Sequence, residues 1–74
     1  MPKRSEESRA LQTFGDNLRR ERMARGLTQE RLAELADLNP RTVQKIEAGD
    51  ITILVTTLFR LRAVLGCEWK RLLG

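Results

Sequence analysis

The sequence has no histidine and a single cysteine, Cys67. A lone thiol has no disulfide partner, and without histidine neither a structural zinc site nor a triad or metal-assisted hydrolase has enough ligands or bases. Long apolar runs are missing too, since no stretch approaches the ~18 residues that a membrane span needs. The opening stretch MPKRSEESRA carries neither the apolar core nor the cleavage site of a secretory signal. These absences set the expectation of a soluble, cytoplasmic chain that uses no membrane, metal or cofactor. No constellation of acid, base and nucleophile stands out, so an enzyme is the class least expected.

What is present fits one small domain. At 74 residues the chain lies close to the lower size at which a hydrophobic core alone holds a fold. Its 41% apolar and 32% charged residues exclude compositional disorder. The balance of 14 Lys/Arg against 10 Asp/Glu gives +4, which on so small a surface favours a polyanionic partner. The basic excess concentrates in LRRERMARG, NPRTVQK and WKRLLG. A merely solubilising surface would look the same, so charge alone assigns nothing.

Residues 1–8 are polar and charged, with Pro2 among them, and are expected to form a flexible arm before a domain over 9–74. Lys3 and Arg4 could reach a nucleic-acid backbone, although an inert tail explains them as well. From there to Arg25 the apolar positions Leu11, Phe14 and Leu18 recur at helical spacing, and Gly26 stops the pattern. Thr28 offers an N-cap for a second helix whose inward side is Leu32, Ala33, Leu35 and Ala36. Asp37 and Leu38 break it. Asn39 caps a third helix that opens on Pro40 and runs to about Ala48, where Gly49 and Asp50 close it.

The stretch ITILVTTLFRLRAVLG begins β-branched and could start as a strand, but Leu54, Leu58, Leu61 and Leu65 form one helical stripe. A fourth helix is therefore expected from about Ile53 to Leu65, followed by a short fifth carrying Trp69, Leu72 and Leu73. The fold class that follows is all-α, a compact bundle of five short helices.

Helices two and three are separated by only a few residues. Two helices joined so tightly cross steeply, which projects the second away from the body while the first braces it. On helix three, Val43 and Ile46 fall on one side at 100° per residue, whereas Arg41, Gln44, Lys45 and Ala48 cluster on the other. Arg, Gln and Lys are the side chains that read base edges in a major groove. An ordinary amphipathic helix with a wet face carries the same pattern, and the surrounding string separates the two.

That string, TQERLAELADLNPRTVQKIEAGD, resembles the helix-turn-helix of the lambda-repressor and Cro-like family, the XRE family. Gln29, Ala33, Val43, Ile46, Glu47 and Gly49 match the family pattern, and the likeness extends from about Phe14 to Leu73. Asp37 departs from it, because the family commonly has Gly in the turn; Asp tolerates the left-handed backbone better than most residues. The resemblance implies a sequence-specific DNA-binding regulator, with double-stranded DNA as partner.

Arg41, Gln44 and Lys45 are then the expected base readers, and Pro40 either touches a thymine methyl or simply starts the helix. Gln29, at the start of the bracing helix, resembles the family's phosphate-contacting Gln and could also steady the first turn of helix three. Thr28, Thr42 and Arg19 are further phosphate candidates, with a local hydrogen bond the alternative for Thr42. Arg20 and Arg25 read as a solvated face. The resemblance also implies a structural ion pair between Arg22 and Glu47.

One recognition helix reads few base pairs, whereas two copies ~34 Å apart read both halves of a palindrome. Helix four carries more apolar side chains than a small core can cover, and Val55, Phe59, Trp69 and Leu73 make a plausible homodimer surface. Trp69 could equally cap the monomer core, and Cys67 reads as a small buried hydrophobe. The expected protein is a homodimeric transcriptional repressor on palindromic operator DNA. The alternatives are an antitoxin that also holds a toxin protein, and an interaction module that has lost DNA binding.

Overall fold

The computed structural model describes residues 4–74, with the Arg4 side chain left out. Lys3 and the Arg4 side chain, proposed above to reach a nucleic-acid backbone, lie outside the described part. The helices are α1 (Arg4–Ala24), α2 (Gln29–Ala36), α3 (Pro40–Glu47), α4 (Val55–Leu65) and α5 (Trp69–Leu73), and no strand occurs among the described residues. α1 packs on α3 and α5, and α2 packs on α3 and α4. Among the described residues, no helix is long and apolar enough to cross a membrane.

The core forms where the helical stripes meet. Phe14 and Leu18 of α1, Leu32 and Ala33 of α2, Val43 and Ile46 of α3, and Leu61 and Leu65 of α4 are all buried, with Cys67 and Leu72 closing the end. The expected stripes are therefore mostly the packed ones, with three exceptions: Leu11 is only half-buried and stands outside the core cluster, and two other leucines are exposed. Leu35 is 45% exposed and Leu54 is 73% exposed. Leu54 leaves the stripe because α4 starts at Val55, two residues later than the spacing suggests, and Leu54 is its extended N-cap (φ −69°, ψ 145°). The β-branched run before it, residues 51–53, is neither helix nor strand and serves as a connector, consistent with the lower helix preference of β-branched side chains.

α1 differs at its other end. It begins at Arg4, so residues 4–8 are helical where an arm was expected. Glu6 and Glu7 occupy the first turn, where carboxylates complement the helix dipole, and no Gly or Pro interrupts the segment before Gly15.

The α2–α3 break has the chemistry its residues suggest. Thr28 Oγ1 accepts the Arg31 N–H at 3.0 Å to cap α2. Asp37 takes the left-handed conformation (φ 58°, ψ 49°) that ends it, which lets the Leu38 N–H reach the Ala33 carbonyl at 2.8 Å. Asn39 Oδ1 then accepts the Arg41 N–H at 2.8 Å, and Pro40 opens α3. At the far end Gly49 (φ 75°) allows the Asp50 N–H to close on the Lys45 carbonyl at 2.9 Å.

Candidate nucleic-acid interface

α3 buries Val43, Ile46 and Glu47 and leaves Pro40, Arg41, Gln44, Lys45 and Ala48 exposed. Two buried apolar residues three apart anchor one side of an eight-residue helix, so the opposite side must face solvent. The side chains of Arg41, Gln44 and Lys45 have no hydrogen-bond or ion-pair partner among the described residues. A cation, an amide and a second cation thus stand on one short face with their donors uncommitted. Thr42 is half-buried beside them.

The inner side of α3 is held ionically as well as by packing. Glu47 is 7% exposed and accepts Arg22 Nε on Oε2 at 2.7 Å and Arg22 Nη2 on Oε1 at 3.1 Å. This bidentate pair joins α1 to α3 as the resemblance implies, and Arg22 Nη1 also donates to the Leu27 carbonyl at 2.7 Å. Gln29 is half-buried, and its Nε2 donates to Glu47 Oε1 at 3.0 Å. Its amide therefore meets the last residue of α3, not the first turn.

Of the other phosphate candidates, Arg19 is exposed and has no side-chain partner among the described residues. Thr28 is exposed with its oxygen engaged in the α2 cap. Arg20 and Arg25 are not simply a solvated face. Arg20 donates Nε to Glu21 at 3.1 Å, Nη1 to Asn17 at 3.0 Å and Nη2 to the Arg71 carbonyl at 2.6 Å. Arg25 donates Nη1 to Glu21 Oε1 at 3.0 Å and Nε to the Leu65 carbonyl.

Glu21 is the centre of this cluster. It is 1% exposed, and Arg71 of α5 donates Nε to its Oε2 at 3.0 Å. The Arg71 hydrogen bond is the main reason its carboxyl is held at about 2 instead of the ordinary 4.5; burial opposes the shift, and Arg20 and Arg25 add to it. The same contact raises the Arg71 guanidinium above its ordinary value. Asn17 Nδ2 completes the link to α5 by donating to the Leu72 carbonyl at 2.9 Å.

Gly15 is a further position that periodicity does not reveal. A methyl group there would overlap the backbone carbonyl oxygen of Ile46 and come within 2.8 Å of that of Glu47. The absent side chain is what lets α1 lie directly against the end of α3.

The apolar residues assigned to a dimer surface lie on α4 and α5. Val55 (63%), Phe59 (56%) and Leu73 (55%) are exposed, while Trp69 is half-buried. Phe59 and Trp69 meet edge to face with ring centroids 5.3 Å apart. The Arg62 guanidinium lies over the Trp69 ring at 5.1 Å while its Nε donates to the Cys67 carbonyl at 2.9 Å. Leu54 adds to the exposed apolar surface beside Val55.

A helix-turn-helix family model matches residues 18–72, which spans all of α2, α3 and α4. Among solved structures, the restriction-modification controller protein C.AhdI from Aeromonas hydrophila is 35% identical. The likeness covers 84% of this chain and 94% of that one, with a TM-score of 0.80. No curated protein matches the chain. With the tight α2–α3 turn, the anchored inner side of α3 and its basic outer side already in place, these likenesses show that the chain belongs to the XRE-type helix-turn-helix family of DNA-binding transcription regulators.

Proposed function

We propose that the protein binds a palindromic operator as a homodimer, in the cytoplasm, placing α3 of each subunit in successive major grooves. The observation that carries this reading is the uncommitted outer face of α3, where Arg41, Gln44 and Lys45 are exposed together. Arg and Gln pair bidentately with guanine and adenine edges, and Lys serves guanine or phosphate. Pro40 stands at the leading edge of the same face, within the set that would meet bases. Thr28, Thr42, Gln29 and Arg19 are the candidates for the flanking backbone. That the reading face is unobstructed argues against a module that has given up DNA.

The second subunit docks through Val55, Phe59, Trp69 and Leu73. Exposed aromatic and aliphatic side chains clustered at one surface are what an isologous interface uses. The likeness to a restriction-modification controller protein supports genes of such a system as the target. Repression by covering a promoter is the simplest outcome of occupancy.

Selection of bound sites from a random DNA pool tests the reading. Two inverted half-sites with centres ~34 Å apart are expected. A pool that yields no shared half-site would refute sequence-specific binding, and a lone unrepeated half-site would refute the dimer.

A further inference from the structure

α5 is too short to stand alone. It has five residues, opens on Glu68 without a side-chain cap and buries only Leu72, whereas an isolated helix in water needs roughly 12–15 residues. Its place is set from α1, on which it packs. Arg71 Nε donates to Glu21 Oε2 at 3.0 Å, and Arg71 Nη2 lies 2.9 Å from the same oxygen. Asn17 Nδ2 and Arg20 Nη2 donate to the carbonyls of Leu72 and Arg71. Arg20 and Arg25 in turn hold the Glu21 carboxylate from its own helix.

At 100° per residue Trp69 and Leu73 stand about 40° apart on α5, and Arg71 stands about 160° from each. The ion pair therefore grips the back of a helix whose front carries two of the four residues assigned to the dimer face. On that front Trp69 meets the Phe59 ring edge to face and the Arg62 guanidinium at 5.1 Å, so α4 and α5 present one surface.

We infer, on the α4–α5 dimer face proposed above, that Glu21 and Arg71 are a positioning pair for a second copy of this chain. Glu21 is 1% exposed and acts from beneath the surface: through Arg71 it sets the rotation at which α5 presents Trp69 and Leu73. One buried leucine seats α5 on the core but leaves rotation about the helix axis loose. The monomer gains little from fixing that rotation, because Leu73 faces solvent whichever way it leans; an interface packed like a protein interior needs it fixed. A rotation of ~10° moves a side-chain tip ~6 Å from the axis by ~1 Å. That exceeds the ~0.5 Å tolerance of a preorganised contact.

The test uses the full chain with Arg71→Met, which keeps the aliphatic stem and removes both donors, and Arg71→Lys, which restores one. Glu21 retains Arg20 and Arg25 in both, so its buried charge stays compensated. The dimer dissociation constant is measured by sedimentation equilibrium, and helical circular dichroism is recorded at a concentration where the chain is monomeric. Arg71→Met is expected to raise the constant about tenfold with its helix content retained, and Arg71→Lys to fall between it and the parent. An unchanged constant in folded Arg71→Met overturns the inference. So does a dimer lost together with helix content, which would mean that the pair holds the monomer instead of aiming α5. A parent chain that is monomeric throughout, or a Phe59→Asp chain that stays dimeric, brings down the dimer face itself and this inference with it.

Discussion

Replacing Arg41 with Ala removes an exposed side chain that makes no hydrogen bond or ion pair with another described residue, so its cost falls on DNA and not on folding. A loss of ~1–3 kcal/mol at one base pair of the operator is expected, with an unchanged melting temperature. Repeating the site selection with the variant checks this, and an unaltered preference would remove Arg41 from the reading set. Gly15→Ala behaves in the opposite way. Ala is a better helix former than Gly by ~1 kcal/mol, but here the methyl would meet backbone of α3, which cannot rotate aside. Overpacking of this kind costs ~1–3 kcal/mol, so the clash wins and the melting temperature should fall. Gly15 lies beside Phe14 in α1, and nothing in the apolar spacing marks it as a contact point. Glu21 had a clearer signal: it follows Phe14 and Leu18 on the same inward stripe, where a charged side chain requires partners.

At the scale of elements, the turn between α2 and α3 sets where the reading face points. Asp37 takes a positive φ that a β-branched residue adopts only under strain. Asp37→Val should cost ~1–3 kcal/mol in a denaturant titration and weaken operator binding by more than it weakens folding, because the turn also aims α3. If folding alone suffers, the turn does not set the DNA-reading geometry. The starts of α2 and α3 were legible, since Thr28, Asn39 and Pro40 act through local hydrogen bonds and fixed backbone angles that need no tertiary partner. The ends of α1 and α4 were less so. Ile53 and Leu54 carry the apolar spacing of a helix, yet the chain there is not helical, since spacing records which residues are apolar and not where the first turn closes.

For the whole molecule, two outcomes follow from how the helices are joined. Phe59→Asp should yield a monomer in sedimentation equilibrium with its helical circular dichroism intact, because Phe59 is 56% exposed and its loss opens little of the core. A variant that remains dimeric would move the interface elsewhere. The second outcome concerns acid. The folded Glu21 carboxyl sits near 2 against an ordinary 4.5, so its contribution to stability is complete above pH 4.5 and is lost as pH falls from there towards 2. Because Arg71 supplies the main hydrogen bond, Arg71→Ala should shift acid unfolding to higher pH, with α5 the first element to loosen. Acid titrations of the two chains that superimpose would show that the cluster does not hold α5.

The five helices, the tight break and the outward Arg41, Gln44 and Lys45 were all determined by the sequence itself. Each of these rests on short-range spacing, caps and residue types. The tertiary structure alone decided that Gln29 meets Glu47, that Arg20 and Arg25 are largely spent on Glu21 and backbone carbonyls, and that Gly15 is a contact point. Those facts depend on which helices come together and at what distance. A basic or amide side chain reads identically in sequence whether its donors face solvent or a carboxylate brought from another helix.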